Sequence, residues 1–258
     1  AGEYADEASC AFSANPALEI LDLLTHPQYG LKVSPTRIDM ASFTAGANRC
    51  DEIVDGIKRY ECHVYIREKR TAWEWIETIG LHAGGMRPRE VDGVWVLDTG
   101  EEPTVVDATI TSDHIVAGTR PRVSYGGGAG FADLPNSFVA EWTDSSARRW
   151  PKRQLVLNHP EVDAGAEVRP SVTYQLDGCL KEKQAYRCLW AIAHRAWSEV
   201  TITGMDLLPE MLHLKAGSLV TLQVEKLGFK DNDFVVTDTV YTGAGIRVSL
   251  RLHDPAIW

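Results

Sequence analysis

The stretch NPALEILDLLTHPQYGL, residues 15–31, places an apolar run between two proline stops and predicts a short helix. Asn15 is a good N-cap residue, and Pro16 suits the first helical position, where a missing N–H costs nothing. Leu21 and Leu24 fall on the apolar stripe at helical spacing. We therefore expect both leucines to be buried and the helix to act as a docking element.

The same pattern analysis predicts further helices. Glu19 falls in the first turn of the first helix, where the helix dipole favours an anion. Thr71 and Glu74 have the spacing of a capping box ahead of another apolar stripe. The other predicted helices cover residues 41–54, 71–83 and 181–197.

Much of the remaining chain alternates with the period of two that is typical of strands with one buried face. In residues 57–66, Tyr60 and Cys62 alternate with polar neighbours, and Asp92-Gly93 is a hairpin signal before a further strand. The other predicted strands are residues 122–125, 137–143, 154–157, 199–202, 218–224, 234–241 and 246–252. About four helices among about ten strands predict an α+β fold, mainly antiparallel β.

The changes of pattern along the chain predict three parts. Residues 1–56 form an N-terminal helical segment, and residues 57–118 form a small α+β domain. Residues 119–258 form a β-rich domain with one long helix at 181–197. We expect the N-terminal segment to pack on the β-rich part.

The composition argues against two classes of protein. With 44% hydrophobic and 24% charged residues, the chain of 258 residues is typical of a globular protein. It has no apolar run of ~18 residues that could cross a membrane. Its formal net charge is −10, and its densest basic stretches, residues 66–70 and 148–153, are short and interrupted. Because binding to phosphates requires clustered Lys and Arg, we expect no specific nucleic-acid binding and no membrane span.

The cysteines and histidines form no recognisable metal-ligand motif. No pair of cysteines has CxxC spacing, and no HExxH or HxH sequence occurs. We expect buried, reduced thiols, which suit assembly in a reducing cytosol, and we assign no metal ligand and no cofactor. The cysteines are Cys10, Cys50, Cys62, Cys179 and Cys188.

No spaced catalytic motif is present. Ser124, Asp144 and His159 could form a triad in space, although nothing in their spacing favours one. Glu141 is the best single candidate for sugar chemistry, but strand alternation favours a solvent-facing Glu141 opposite a buried Trp142. We assign no catalytic residue and predict that the chain is not an enzyme.

A glycine-rich stretch and the tryptophans are the other features to be weighed as binding sites. Residues 126–130, GGGAG, predict a mobile loop rather than a phosphate site, since neither a helix nor a Lys-Ser/Thr pair follows. The eight tryptophans raise a carbohydrate-binding interpretation. Most fall on predicted helices or strands, where core packing is the usual explanation, and Trp150 and Trp258 are less constrained.

The order of motifs resembles the tail tip attachment protein J and baseplate hub family of long-tailed phages. The opening stretch is similar to the family's NPAWVLYDLLTNxRYGLG segment, and RYECHVYI (59–66) to its RFxCNxYL strand. In the last motif, Ala216 replaces the family's usual Pro and Ser218 its usual Asp. The remaining colinear motifs are DGVWVL (92–97), LPNSFVAEWTD (134–144), KQAYR (183–187) and LKAGSLVTLQV (214–224).

The resemblance implies a structural protein of the phage or prophage tail. It implies barrel-like hub domains that form a threefold ring at the end of the tail tube, for host attachment and DNA passage. The implied partners are two further copies of the chain and other tail-tip and tail-tube proteins. The implied location is the virion tail, assembled in the bacterial cytoplasm. The alternatives are a tail-associated hydrolase acting on cell-wall or capsule polysaccharide and a carbohydrate-binding β module.

Overall fold

A computed structural model describes residues 13–66, 68–99, 105–125, 135–168, 171–197 and 200–253. The glycine-rich loop 126–130, Cys10 and Trp258 lie outside the described residues. The helices are α1 (Pro16–Thr25), α2 (Met40–Asp51), α3 (Ala72–Leu81), α4 (Pro160–Asp163) and α5 (Glu182–Trp197). The strands are β1 (Ile53–Val54), β2 (Ile57–Lys58), β3 (Arg87–Val91), β4 (Val94–Asp98), β5 (Val106–Thr111), β6 (Arg122–Tyr125), β7 (Ser137–Thr143), β8 (Lys152–Asn158), β9 (Val172–Leu176), β10 (Val200–Leu207), β11 (Leu219–Val224), β12 (Phe229–Thr242) and β13 (Gly245–Leu252).

These elements confirm the predicted α+β class. A six-stranded sheet has the order β5-β11-β12-β13-β10-β6, in which every pair is antiparallel apart from the parallel pair β5–β11. A three-stranded sheet has the order β8-β7-β9, and β1–β2 and β3–β4 form two-stranded pairs. Within the described residues, every helix is too short or too polar to cross a bilayer.

The chain divides into two compact units, each built from discontinuous segments. The first unit contains residues 1–100, 139–155 and 173–189. The second contains residues 101–138, 156–172 and 190–258. The division into residues 1–56, 57–118 and 119–258 expected from the sequence stays a prediction.

Helix α1 has the cap and the buried leucines that the sequence predicts. Leu21 and Leu24 are both buried. The Asn15 side chain accepts a hydrogen bond from the Ala17 N–H at 3.1 Å, which caps the helix. Its amide also donates to the Ala47 carbonyl in α2 at 2.9 Å, so the cap residue joins two helices.

The pKa of Glu19 depends on its burial, which helical spacing alone does not reveal. The favourable end of the helix dipole is outweighed by burial, which raises the pKa of Glu19 to about 7. A hydrogen bond with the Cys62 side chain acts in the opposite direction and lowers that pKa. The carboxyl of Glu19 therefore titrates near neutral pH rather than near its ordinary value.

The long strand expected at residues 57–66 is only partly correct. Strand β2 ends at Lys58, and residues 59–66 then join no sheet. The Tyr60 N–H donates to the Cys50 carbonyl at 3.1 Å, and the Cys62 N–H to the Ala14 carbonyl at 2.8 Å. The predicted burial of Tyr60 and Cys62 is confirmed, although no neighbouring strand pairs with them.

The six-stranded sheet carries the core of the second unit. Strands β12 and β13 pair from Phe234–Leu252 to Thr242–Gly245, with one irregularity in register. Alternate side chains point to one buried face, as the period of two predicts. The buried cluster consists of Ile110, Ile202, Met205, Leu207, Met211, Leu214, Val220, Leu222, Val224, Phe229, Phe234, Val236, Ile246, Val248 and Leu250.

The barrel-like form expected from the family resemblance is only partly present. Within the described residues, the edge strands β5 and β6 are not paired with each other, so the sheet is not a closed barrel. The segment after β5 nevertheless returns to β10, where Ile115 bridges Leu207. The Val116 N–H donates to the Asp206 carbonyl at 2.9 Å, and the Leu208 N–H to the His114 carbonyl at 2.9 Å. These contacts require the sheet to curl back on itself at one end.

Several local predictions are confirmed, and some elements were missed. Thr71 and Glu74 form the reciprocal capping box at the start of α3. Asp92 and Gly93 have positive φ angles of 51° and 81°, which fit the tight turn between β3 and β4. Strand β7 has the predicted bounds, whereas α4, β5 and β9 had no clear signal in the sequence.

Candidate functional site

A groove of about 940 Å³ opens in the first unit. Its walls come from residues 63–65, Glu68 and Arg70, from helix α3, from the turn between β7 and β8, and from strand β9 with the residues that follow it. This volume falls within the range of ligand pockets, roughly 300–1,000 Å³. The groove is therefore the candidate site on grounds of shape, and its chemistry depends on the side chains that line it.

His82 forms part of the groove lining and is completely buried. Its Nε2 accepts a hydrogen bond from the Gly178 N–H at 2.8 Å. Its Nδ1 must then carry the proton and donate to the Thr78 carbonyl at 2.7 Å. Burial lowers the pKa of His82, so the ring stays neutral. Because both nitrogens are occupied, His82 positions the backbone and is not available as a general base.

Gln184 holds the same region together from helix α5. Its amide nitrogen donates to the Glu61 carbonyl at 2.6 Å and to the His82 carbonyl at 3.0 Å. The His63 N–H donates to the Gly178 carbonyl at 2.9 Å. A Cβ atom at Gly178 would lie 2.6 Å from the Val64 side chain, so only glycine allows this close approach. The groove wall is consequently fixed by buried polar contacts.

Trp150 projects from a tight turn at the edge of the groove. Arg149 and Trp150 both have positive φ angles, 71° and 48°, which side chains with a Cβ rarely adopt. The turn is closed by the Trp150 N–H, which donates to the Ala147 carbonyl at 3.2 Å. The Asp144 N–H donates to the Pro151 carbonyl at 3.0 Å. Trp150 is 60% exposed, so the turn displays a large aromatic ring to solvent.

The charged residues that line the groove are paired with one another. The Arg70 guanidinium contacts the Glu68 carboxylate at 2.6 Å and lies 5.0 Å from the Trp75 ring centroid. The Lys152 ammonium contacts the Asp177 carboxylate at 2.8 Å. The two cations and two anions among the described lining residues therefore balance.

Glu141, the sequence candidate for sugar chemistry, has the structural role that strand alternation favours. It lies on the polar face of its strand, while the neighbouring Trp142 is buried. Its carboxylate accepts hydrogen bonds from the amides of Gln154 at 2.8 Å and Gln175 at 2.7 Å. These bonds hold the pKa of Glu141 below its ordinary value. A general acid for glycoside cleavage needs a raised pKa, so this arrangement is opposite to what that chemistry requires.

The residues of the conceivable triad each have local structural partners. Ser124 pairs with Thr201 in the ladder between β6 and β10. The Asp144 carboxylate accepts from the Ser146 hydroxyl at 2.6 Å within the β7–β8 turn. The His159 Nδ1 accepts from the Glu161 N–H at 3.3 Å and caps the short helix α4. These contacts assign capping and pairing roles to the three residues.

The remaining predicted features of the sequence have similar explanations. The cysteines in the described ranges, Cys50, Cys62, Cys179 and Cys188, are free thiols and buried, as expected. Burial raises the pKa of Cys50 to about 12 and that of Cys179 to about 11, so neither is a reactive thiolate. Across the described residues, no group of three or more His, Cys, Asp and Glu side chains could hold a metal ion.

Sequence reasoning missed the residues that shape the groove. His82 caps the end of α3, and Gln184 lies near the start of α5. Their hydrogen bonds join residues about a hundred positions apart in the sequence, and no local pattern reveals such contacts. Trp150 was recognised as less constrained, and the Arg-Arg-Trp-Pro sequence marks a turn only weakly because it contains no glycine. The sequence feature that points to the site is Trp150, an aromatic residue outside any periodic segment.

The fold is shared with solved structures of viral particles and tails. A chain of the virion of a native gene transfer agent particle aligns with a TM-score of 0.61 and 19% identity, over 83% of this chain and 46% of that chain. The 43 kDa tail protein of prophage MuSo2 from Shewanella oneidensis aligns with a TM-score of 0.56 and 13% identity, over 98% of this chain and 70% of that chain. The present chain thus spans about half the length of the gene transfer agent chain. At such identities the likeness shows a common fold.

The sequence itself matches no protein-family model and no curated protein.

Proposed function

We propose that the chain is a structural component of a phage or prophage tail. Within the tail, we assign it to the tail tip or baseplate hub, as part of a ring at the end of the tail tube that serves host attachment and DNA passage. The observation that carries the proposal is the alignment of 98% of the chain with a prophage tail protein at a TM-score of 0.56. The order of sequence motifs supports the same assignment independently.

Exposed apolar residues of the second unit support a role in assembly. Val240 and Tyr241 lie exposed next to the turn that joins β12 and β13. Val105 and Val106 lie exposed at the start of β5, which is an edge strand of the six-stranded sheet. An edge strand can extend its hydrogen bonding onto another chain, and exposed apolar side chains gain from being covered. We infer that other subunits of the tail cover these positions.

The proposed partners are two further copies of the chain and neighbouring tail-tip and tail-tube proteins. The proposed location is the virion tail, with assembly in the bacterial cytoplasm. Such a role requires surfaces rather than chemistry, and it calls for no catalytic residue, cofactor or metal. The low pKa of Glu141 and the local partners of Asp144 and His159 support a protein without hydrolase activity.

Electron microscopy of purified particles that carry a tagged copy of the chain tests the proposal. We expect density for the chain at the tail tip with threefold symmetry, in contact with the tube. Tyr241→Asp should leave the isolated chain folded and reduce its incorporation, because it charges a surface that we infer to be covered. Asn232→Asp introduces the same charge at another exposed position of β12 and is the matched control. Particles that lack the chain, or hold it as a single copy, would contradict the proposal.

A further inference from the structure

We propose that the groove of the first unit binds a neutral oligosaccharide, with Trp150 as the stacking platform. This function goes beyond a structural role in the tail and does not depend on it. It rests on the groove's aromatic lining, its balanced charges and the strained turn that displays Trp150.

Two exposed aromatic side chains, Trp150 and Tyr65, contribute to the groove lining. Trp150 is 60% exposed and Tyr65 is 74% exposed, and Trp75 and Tyr174 also line the groove. The face of an aromatic ring carries partial negative charge. The C–H groups on one face of a pyranose carry partial positive charge and present a flat apolar surface. A sugar ring therefore stacks on an exposed tryptophan, while its hydroxyl groups remain free to make hydrogen bonds.

The polar groups of the groove suit uncharged hydroxyls. Thr143 and Thr173 contribute hydroxyl groups, each of which can donate and accept a hydrogen bond. The Gln175 amide is held in one orientation because its nitrogen donates to the Glu141 carboxylate at 2.7 Å. Sugar hydroxyls can pair with such groups in either role.

The charge balance selects against charged ligands. Arg70 is paired with Glu68, and Lys152 is paired with Asp177, so the described lining carries no excess of either sign. An anionic or a cationic ligand would have to break one of these pairs or remain uncompensated. A neutral saccharide neither breaks an ion pair nor adds an uncompensated charge.

The strained backbone of the turn that carries Trp150 favours a binding role for its ring. Arg149 and Trp150 are consecutive residues in a backbone region that glycine or asparagine occupies more easily. Residues held in such conformations tend to cluster at binding sites. A large aromatic residue, in a strained position and exposed to solvent, contributes little to folding. Ligand binding explains why an exposed tryptophan stands at this position, whereas core packing does not.

A segment of another tail protein is the alternative occupant. Peptides dock by adding a strand to a free edge, by filling an apolar groove or by matching a cluster of like charge. The groove has balanced charges and polar lining residues such as Thr173 and Gln175, and the N–H of His63 in its wall already donates within the unit. The observations therefore favour the saccharide.

Titration of the full chain with defined probes tests the inference. The neutral probes are tetrasaccharides of N-acetylglucosamine and of glucose, and the charged probe is a tetrasaccharide of galacturonic acid. Tryptophan fluorescence and calorimetry report binding. We expect at least one neutral probe to bind and the charged probe to bind more weakly. Absence of binding by both neutral probes at millimolar concentration overturns the inference.

The decisive variant is Trp150→Gly, because glycine adopts the positive φ angle without strain and the turn is retained. We expect it to fold normally and to lose about 10-fold or more in affinity. Trp150→Phe keeps an aromatic face and should retain most of the binding. Tyr241→Ala removes a ring that is also 60% exposed but belongs to the second unit, and it should bind like the unaltered chain. Unchanged affinity in Trp150→Gly overturns the inference.

A second variant tests the charge argument. Asp177→Asn leaves Lys152 without its partner and gives the groove an excess positive charge. We expect this variant to gain affinity for the galacturonate probe and to bind the neutral probe with little change. Incorporation of Trp150→Gly into particles separates the two functions. If that variant fails to enter tails while no neutral probe binds the unaltered chain, the groove is a protein interface and the saccharide inference is wrong.

Discussion

The six-stranded sheet of the second unit and the groove region of the first unit are stabilised in different ways. The sheet buries a cluster of apolar side chains that alternate along its strands. The groove region also has apolar helices, but its wall is held by the buried polar residues His82 and Gln184. Apolar packing is non-directional, whereas each buried polar group requires a partner at a defined distance and angle. The first unit should therefore be the more sensitive to small chemical changes.

The largest effect is expected from Leu21→Asp, which places a carboxylate on the buried face of α1. Burial of an unpaired charge costs more than about 5 kcal/mol or forces its protonation. We expect loss of the folded first unit, seen by circular dichroism, and no incorporation into tails. Leu21→Met conserves the side-chain volume and should remain close to the unaltered stability. An unchanged melting temperature in Leu21→Asp would show that α1 is not a docking element.

The next effect concerns the apolar core of the second unit. Phe234 is fully buried and packs edge-to-face on Phe229, with ring centroids 5.0 Å apart. Phe234→Ala should lower the free energy of unfolding by about 3–5 kcal/mol through lost transfer energy and a cavity. Urea denaturation measures the change, and faster amide exchange in β11 and β13 locates it. Phe234→Leu should cost clearly less, and equal costs would argue against a cavity as the cause.

A smaller effect is expected at the polar network of the first unit. Gln184→Met has a similar volume but leaves the carbonyls of Glu61 and His82 without the donor that Gln184 supplies. We expect a loss of about 1–3 kcal/mol in the free energy of unfolding. Lys183→Met, at an exposed position one residue earlier, should change it by less than about 1 kcal/mol. Equal losses in the two variants would show that the buried hydrogen bonds of Gln184 do not stabilise the first unit.

The smallest predicted effect depends on pH. The folded-state pKa of Glu19 is raised to about 7, above its value in the unfolded chain. Its contribution to stability is fully present below pH ~4.5 and is lost as the pH rises through ~7, because the unfolded chain releases the proton first. Glu19→Gln should therefore stabilise the protein at pH 8, by about 1–2 kcal/mol after allowance for partial exposure, and hardly at all at pH 4.

The pKa of His82 is shifted in the opposite sense, so the two groups can be separated by urea denaturation across pH. Burial lowers the pKa of His82, and the unfolded chain takes up a proton that the folded chain does not. Stability should then fall as the pH drops below ~6.5. Glu19→Gln removes only the loss at high pH. A pH profile that is the same with and without Glu19 would show that this carboxyl is not desolvated.

The elements of the second unit were predictable because they obey local rules. Residues 246–252 alternate apolar and polar side chains, and they form β13 within one residue of the predicted bounds. The hairpin that precedes β13 is tight and close in sequence, so its pairing requires no long-range information. Strand β5 was missed because it pairs in parallel with β11, more than a hundred residues away.

The candidate groove was much less predictable. The alternation in residues 57–66 correctly predicts that Tyr60 and Cys62 are buried, although Ile66, on the same predicted face, is exposed. The alternation does not predict which groups the backbone of this segment bonds to. Those groups include carbonyls of Ala14, Cys50 and Gly178 rather than those of a neighbouring strand. Glu141 was a candidate by residue type, and its two amide neighbours, which lower its pKa, come from strands that the sequence does not place beside it.

The sequence by itself determined the elements whose stability is local. These are the capped helices α1 and α3, the alternating strands and the α+β class, because capping and periodicity act over a few residues. Only the tertiary structure decided that Glu19 is desolvated, that His82 and Gln184 tie distant segments together, and that Trp150 stands at the rim of a neutral groove. Burial, hydrogen-bond partners and pKa values depend on which residues meet in space, and a one-dimensional pattern does not specify those meetings.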